Sequence, residues 1–439
     1  MTATLPLAAR LVRFDSAASR HLFFVSGSRI FDVDDATADA VDAALRLDDS
    51  AALPANVSAF FDNRPGEPVP LAQAPAVTSL SLNLMQACNM GCGYCYAEQG
   101  GFGGPSRAMG IDVARRSIDR LLASVPHGRR AILAFMGGEP LMAREVLHQA
   151  TRHAAEAADK AGISLAFAVT TNATLLRDED TELLARHPFS VTVSLDGPPD
   201  VQDRQRPMLG GGASSRRVLQ GIEKLLARRP RELTARMTVT ATTGKLRPVL
   251  DYALSLGFDS AGFSPVVAAP HAGLELAGEK LTDFTAEMID CGEHALGEWI
   301  AGRPYRFSNL EAAMSELHKG TARAHPCGAG AGYLSIDAEG EAFACHRLVG
   351  DRRFRFGSLD DGIDDAARLA HLEDRAVDRQ EPCRSCWARY LCGGGCYHEV
   401  ANRGRTACDH VRAWLSFCLK AYAELGTARP ELFASTRSR

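Results

Sequence analysis

The run Cys88-Asn89-Met90-Gly91-Cys92-Gly93-Tyr94-Cys95 decides how the rest of this 439-residue chain is understood. It spaces three cysteines as C-x₃-C-x₂-C, directly after a strand-like segment at residues 80–84. Three thiolates can hold a four-iron cluster and leave one iron without a protein ligand. An open coordination position is where a metal site does chemistry. Three cysteines alone also fit a zinc knuckle or buried free thiols, so the choice rests on what surrounds them.

Outward from this run the middle of the chain alternates strand and helix. Strand patterns cover residues 80–84, 131–135, 165–169, 190–195, 236–240 and 260–267. Helical patterns lie between them at residues 111–123, 144–161, 178–186, 215–228 and 246–256, and residues 282–300 follow the last strand. Ser214-Ser215 and Thr282-Asp283 offer capping chemistry for two of these helices. Six βα units in succession predict an α/β fold, a partial (β/α)6 TIM-like barrel with a parallel sheet and outer helices. In such a barrel the C-terminal strand tips carry the site, and the cysteine run sits at the first tip.

The other tips carry chemistry too. Met136-Gly137-Gly138-Glu139-Pro140 follows the second strand. Two glycines let a ligand approach the backbone closely, and Glu139 offers an acceptor for an ammonium group; alone, the segment is an ordinary loop. Thr170-Thr171-Asn172 ends the third strand and Ser194-Leu195-Asp196-Gly197 the fourth. Ser194 and Asp196 could bond a ribose, although Asp-Gly is also a common turn. Arg236, on the fifth strand, could pair a carboxylate bidentately or simply sit at a sheet end.

The flanks differ in character. Residues 11–14, 21–25 and 30–33 predict short strands and residues 36–45 a helix, a small α+β module over residues 1–75. Asn63 to Pro68 and Ala72 to Pro75 predict a linker. An open sheet edge in this module could accept an extended peptide as an added strand, or the module is a plain embellishment. Residues 303–425 are rich in Cys, Gly and Arg and short of long periodic segments, so bound metal would have to supply stability there. Residues 426–439 form a tail. Eight of the twelve cysteines lie between Cys327 and Cys418, arranged as C-x₁₇-C, then Cys383-x₂-Cys386-x₅-Cys392-x₃-Cys396, then Cys408 and Cys418. Eight thiolates match two four-ligand sites, iron–sulfur or zinc. Cys291 stands alone and fits a small buried hydrophobe.

Composition bounds the function. The net charge of −4 gives no basic field for nucleic acid. No apolar run approaches the roughly 20 residues of a membrane span, and residues 1–10 lack the order of a secretory signal. A cytoplasmic protein is expected, and a reducing compartment favours metal binding or catalysis for its cysteines.

The middle of the chain resembles the radical S-adenosylmethionine superfamily, and the tail resembles its SPASM extension. The resemblance covers residues 76–420 and rests on the Cys88-Cys92-Cys95 spacing, Gly-Gly-Glu-Pro at 137–140 and the ordered tail cysteines. It implies a barrel over residues 76–302 and an auxiliary-cluster domain over residues 303–425. It implies S-adenosylmethionine and three iron–sulfur clusters as cofactors. Cys88, Cys92 and Cys95 would bind the radical-generating [4Fe–4S] cluster. Tyr94 would line the adenine; Gly137, Gly138 and Glu139 would receive the methionine amino group; Ser194 and Asp196 would face the ribose, with Asn172 and Arg236 also in the cofactor set. Cys383, Cys386, Cys392 and Cys408 would bind an outer auxiliary cluster, and Cys327, Cys345 and Cys396 an inner one. The family's further cysteine a few residues after the first is missing at residues 328–333, so the inner cluster is open or recruits Cys418. Ten helical residues span about 15 Å, so Cys408 and Cys418 could serve different clusters.

Cys386 to His398 is similar to enzymes that install thioether crosslinks in Cys-containing peptides, including the maturase of the quinohemoprotein amine dehydrogenase small subunit. The resemblance implies that an external one-electron donor such as flavodoxin or ferredoxin reduces the cluster. A 5′-deoxyadenosyl radical then takes a hydrogen from a bound peptide, and a cysteine sulfur traps the resulting carbon radical. Formylglycine formation in a sulfatase and carbon–carbon or carbon–oxygen crosslinking share every cluster residue. A zinc-stabilised binding module or a pure electron carrier would leave residues 137–139 and 194–196 without a role.

Overall fold

The computed structural model describes residues 5–17, 19–62, 67–271 and 273–434. The chain divides into two compact units, one made of Leu71–Lys280 with Gly328–His371, the other of Met1–Pro70, Leu281–Cys327 and Leu372–Arg439.

The second unit begins with three antiparallel strands, β1 (Leu11–Asp15), β2 (Arg20–Phe24) and β3 (Arg29–Val33), in the order β1-β2-β3. Helices α1 (Asp35–Leu47) and α2 (Ala55–Asp62) follow, and α2 has no counterpart in the sequence expectation. Asp34 caps α1 by accepting from the Thr37 N–H at 2.8 Å. Leu11, Leu22, Phe24, Val41 and Val57 close a small core under the sheet. Residues 63–66 of the expected linker lie outside the described residues.

The other unit is built on period-two alternation. Strands β4 (Ser79–Met85), β5 (Arg130–Gly137), β6 (Ser164–Thr171), β7 (Phe189–Ser194), β8 (Glu232–Val239) and β9 (Ser260–Pro265) pair in parallel, each beside the next. Helices α3 (Ile111–Ser124), α4 (Arg144–Ala161), α5 (Asp178–Arg186), α6 (Pro199–Gln205), α7 (Ser215–Ala227) and α8 (Leu246–Ser255) connect them. On β7, Phe189, Val191 and Val193 are buried while Ser190, Thr192 and Ser194 point the other way. On β8, Leu233, Ala235, Met237 and Val239 are buried and Thr234, Arg236 and Thr238 are not. Register sets Ser194 beside Arg236 and Thr238 beside Ser264. One face of the sheet is therefore apolar, with the Phe135, Phe167 and Phe189 rings 4.9–6.4 Å apart. The other face carries hydroxyls and a guanidinium. A closed eight-stranded barrel fills that face with branched aliphatics; this open sheet leaves it lined with small polar groups.

Residues 328–371 extend the same sheet. Strand β10 (Tyr333–Ile336) pairs in parallel with β4, and β11 (Glu341–Phe343), β12 (Arg355–Ser358) and β13 (Gly362–Ile363) continue it antiparallel, making ten strands. The expectation of few periodic segments after residue 303 does not hold. Helix Ser308–Lys319 and the 21-residue helix Cys408–Ala428 lie there. Scattered Cys and Arg concealed an apolar stripe that buries Cys418, Leu419, Ala421 and Leu425. Arg389, also buried, donates to the Ala9 carbonyl, so the N-terminal module and the cysteine-rich tail share one unit.

Three local expectations are corrected. Strand β8 starts at Glu232 rather than residue 236, because its alternating Thr and Arg diluted the apolar signal. Thr282-Asp283 does not start a helix, since the helix around it already begins at Glu279. Ser214 makes no side-chain cap on α7. Instead Asp203 reaches across and accepts from the N–H groups of Ser214 and Ser215 at 2.7 Å and from Ser215 Oγ at 2.9 Å. Asp203→Ala strips that helix start of its acceptors and should cost about 0.5–2 kcal/mol, read as a lowered urea midpoint at unchanged slope.

Candidate active site

Cys88, Cys92 and Cys95 lie in the loop after β4, where the chain folds back on itself. The Cys95 N–H donates to the Cys92 carbonyl at 3.2 Å, and Met90, Tyr94, Val266, Ala269 and Leu274 pack around the three thiols. The loop is strapped down by Gly91 N–H to Pro207 O at 2.8 Å and by Leu209 N–H to Asn89 O at 2.9 Å. All three cysteines line a cavity of about 600 Å³ on the polar face of the sheet. Burial pushes the Cys88 thiol up to about 12 and raises that of Cys92. Buried thiols resist ionising, so a cation that needs thiolates must displace their protons on binding.

Gly137 and Gly138 line the same cavity and hold the cysteine loop in place. Gly137 N-terminally flanks a tight contact: a Cβ there would lie 2.5 Å from Met85 O, and one on Gly138 would lie 2.2 Å from Ala87 O. The close approach is made by the backbone of the cysteine loop itself. The Gly138 N–H donates to Met85 O at 2.8 Å and the Glu139 N–H to Ala87 O at 3.0 Å, clamping the loop to the tip of β5.

Glu139 is fully buried at the cavity wall. Its Oε1 accepts from Leu141 N–H at 3.1 Å and Thr171 Oγ1 at 2.8 Å, and its Oε2 from Asn172 N–H at 2.8 Å. Burial raises its pKa against these three bonds. A carboxylate has about four acceptor positions, so one stays open toward the cavity for an ammonium group.

Asp196 is buried and is not among the residues that line the main cavity: its Oδ1 accepts from the Thr238 N–H at 2.9 Å and its Oδ2 from the Tyr94 hydroxyl at 2.5 Å. Arg206 completes the group, donating to Tyr94 Oη at 2.5 Å with Asp196 Oδ1 3.8 Å away. Burial opposes the Arg206 charge, yet nearby Cys92, Tyr94 and Asp196 hold its pKa well above the ordinary value. Tyr94 separates the main cavity from a second one of about 290 Å³ lined by Gly93, Gln205, Thr240 and Leu274. Ser194 does reach the main cavity, with Thr192, Thr238, Ser264 and Arg236; Arg236 donates to Ser264 Oγ at 3.1 Å.

Sequence reasoning missed Arg206, Tyr96 and Arg347, all on the cavity wall; His346, which the sequence marks only by its place next to Cys345, is there too. His346 and Arg347 arrive from the segment after β11, which only sheet extension brings to this site. Tyr333 Oη and His346 Nδ1 are 2.8 Å apart, and the Arg347 guanidinium lies 5.0 Å over the Tyr96 ring. Arg206 carried one signal, a cation placed soon after the Asp196-Gly197 turn.

In the other unit Cys383, Cys386, Cys392 and Cys408 lie within electrostatic reach of one another. The 3₁₀ turn Cys383–Ser385 bonds the Cys386 N–H back to Cys383 O at 2.9 Å, Cys392 ends a short helix, and Cys408 begins the long one. Gly393 is required between them, because a Cβ there would lie 2.3 Å from His325 O. Cys327 and Cys396 belong to this unit and Cys345 to the barrel unit. Cys418 is completely buried on its helix, and burial alone raises its thiol. It is a core residue of the kind Cys291 was expected to be, and Cys291 is equally buried.

Residues 82–243 match the radical SAM superfamily, so the chain carries a radical SAM domain. The chain is an enzyme that carries this domain. It is 27% identical over 327 residues to a serine-type anaerobic sulfatase-maturating enzyme of Klebsiella aerogenes, spanning 71% of this chain and 77% of that protein. An uncharacterized protein of Archaeoglobus fulgidus is 25% identical over 329 residues, spanning 73% of this chain and 74% of that one. Among solved structures, native anSMEcpe with bound AdoMet superposes with TM-score 0.67 at 18% identity, over 81% of this chain and 99% of that chain. Streptococcus suis SuiB bound to its precursor peptide SuiA superposes with TM-score 0.53 at 14% identity, over 91% and 96%. These structures share the fold. The superfamily implies S-adenosylmethionine and a [4Fe–4S] cluster.

The residues present fit both groups. Three thiols share one wall, and the buried Arg206 Nε has no hydrogen-bond partner among the described residues. Replacing Gly138 by Ala forces the cysteine loop off the tip of β5. Gly138→Ala should lower iron bound per chain after anaerobic reconstitution, while far-ultraviolet circular dichroism stays native; full iron loading would contradict the clamp.

Proposed function

We propose that the enzyme matures a ribosomally made peptide or protein by abstracting one of its hydrogens and closing a thioether from a substrate cysteine. The observation that carries this reading is the placement of Cys88, Cys92 and Cys95 together on the wall of one cavity that Glu139 and Ser194 also line. When bound, the cluster and S-adenosylmethionine supply one-electron cleavage of the sulfonium and a hydrogen-abstracting radical.

The chain's own residues do the rest. Cys88, Cys92 and Cys95 would hold three irons. Glu139 would take the amino group through its open acceptor position, and Gly137 and Gly138 would keep the loop in register. Ser194 and its hydroxyl neighbours would bond the ribose, and Arg236, which also donates to Ser264 Oγ, would face a carboxylate across the cavity. Tyr94, locked by Asp196 and Arg206, would form the wall beside the adenine. A sheltered cavity holds the target carbon close and excludes water, which a radical step requires. Cys383, Cys386, Cys392 and Cys408 would hold an outer auxiliary cluster that passes electrons to an external partner, with flavodoxin or ferredoxin as donor to the system.

A peptide partner is supported by SuiB, solved with its precursor peptide, and by anSMEcpe, solved with a Cp18Cys peptide. The β1-β2-β3 sheet has β3 at an edge, a place for an extended segment to add. A second reading, oxidation of a Ser or Cys side chain to formylglycine, is favoured by the Klebsiella relative. No helix among the described residues is long and apolar enough to cross a membrane.

Cys88→Ala should abolish 5′-deoxyadenosine formation under dithionite; undiminished product in that variant would remove the assignment. Cys386→Ala should lose one cluster's worth of iron, about four atoms, and still cleave S-adenosylmethionine when no peptide is added. Mass spectrometry of a reacted Cys-containing peptide then separates the chemistries. A thioether consumes a thiol and keeps the sulfur, whereas formylglycine made from Ser leaves every thiol titratable.

A further inference from the structure

Asn172 stands just past β6 and is 4% exposed, and its side-chain amide is fixed from both ends. Its Oδ1 accepts from the Thr174 N–H at 3.0 Å and from Thr174 Oγ1 at 2.6 Å. A backbone N–H only donates, so the oxygen must lie on that side and the nitrogen on the other. The Nδ2 then faces Asn89 Oδ1 at 2.9 Å and Cys88 Sγ at 3.8 Å. Asn89 Nδ2 in turn donates to Thr174 Oγ1 at 2.8 Å, which closes a ring of three side chains. The Asn172 backbone is held separately by Glu139 Oε2 at 2.8 Å. An amide nitrogen carries two N–H donors. One is spent on Asn89, and the ring aims the other at the cysteine sulfur.

We propose that Asn172 is a positioning residue for the radical-generating cluster, donating an N–H to the Cys88 sulfur and raising the potential at which that cluster accepts its electron. A hydrogen bond to a ligating sulfur withdraws electron density and favours the reduced state, one of the levers that set cluster potentials. The ring matters because a freely rotating amide would present oxygen to the thiolate half of the time and repel it. Thr174 and Asn89 together forbid that flip. Two neighbours of the ring tie it to the rest of the site: Asn89 belongs to the cysteine run, and Glu139 belongs to the wall that would receive the amino group. This inference rests on Cys88, Cys92 and Cys95 being the cluster ligands.

The test is an anaerobic reductive titration of the reconstituted full chain, followed by electron paramagnetic resonance. The relevant signal is the one lost in Cys92→Ala and reshaped by S-adenosylmethionine. Asn172→Ala and Asn172→Asp should shift its midpoint to more negative potential at unchanged iron content. Thr174→Val, which keeps the amide but removes its latch, should shift the midpoint the same way by less. An unchanged midpoint in both Asn172 variants overturns the role. If those variants fail to load iron, Thr174→Val decides: a negative shift supports the role and no shift overturns it. If the parent chain shows no such signal, the assignment of the cysteine run falls, and this inference falls with it.

Discussion

The backbone clamp between Gly137-Gly138 and Met85-Ala87 is the constraint on which the site depends. Two N–H···O bonds join the tip of β5 to the start of the cysteine loop, at a separation that leaves no room for a Cβ on either glycine. Everything that would handle the cofactor hangs from this join. The thiols sit a few residues along one arm. Glu139 sits on the other, and its carboxylate carries the contact onward to Thr171 and Asn172 at the end of β6. Adjacent strand tips of a parallel sheet would otherwise diverge as their loops leave; here they are cross-braced by short bonds between buried groups, where each bond is worth most.

The second constraint is the polarity of the inner sheet face. Parallel strands buried on both faces are expected to be continuously apolar. Strands β7 and β8 instead alternate strictly, with Ser, Thr and Arg on the concave side. The sheet is thus built to be covered by helices on one side and by a polar ligand on the other. The buried Tyr94-Asp196-Arg206 group behaves as part of that wall. Its charges are compensated internally, which is the condition for keeping a guanidinium and a carboxylate away from water. The cost of burying thiols works in the same direction. A metal that needs thiolates must displace the protons that burial holds on Cys88 and Cys92, so metal binding is coupled to proton release.

Much of this was legible in the sequence, and the reasons are specific. Helices α4 and α5 run over the very residues that their apolar spacing marks, Arg144–Ala161 and Asp178–Arg186, because long amphipathic segments with clean termini depend on local pattern alone. The three-cysteine spacing and the Gly-Gly-Glu-Pro turn are local as well, and each stands at a strand tip where alternation of strand and helix puts it. Asp203 as the cap of α7 was not legible, since the acceptor lies eleven residues from the helix it serves. Nor were the partners of Asp196, the Thr238 N–H and the Tyr94 hydroxyl, which lie 42 and 102 positions away.

What the sequence by itself determined was the order of strands and helices, the C-x₃-C-x₂-C loop and the thiol-rich tail, all of them set by spacing along the chain. Tertiary structure alone decided that β10 would pair with β4 and deliver His346 and Arg347 to the cavity, and that Asp196 would turn inward onto Tyr94 and Arg206. It also decided that Cys418 would be completely buried, and that an asparagine would point its nitrogen at a sulfur. These are matters of which surfaces meet and which donors find acceptors. Such pairings join residues tens to hundreds of positions apart, and no local period records them.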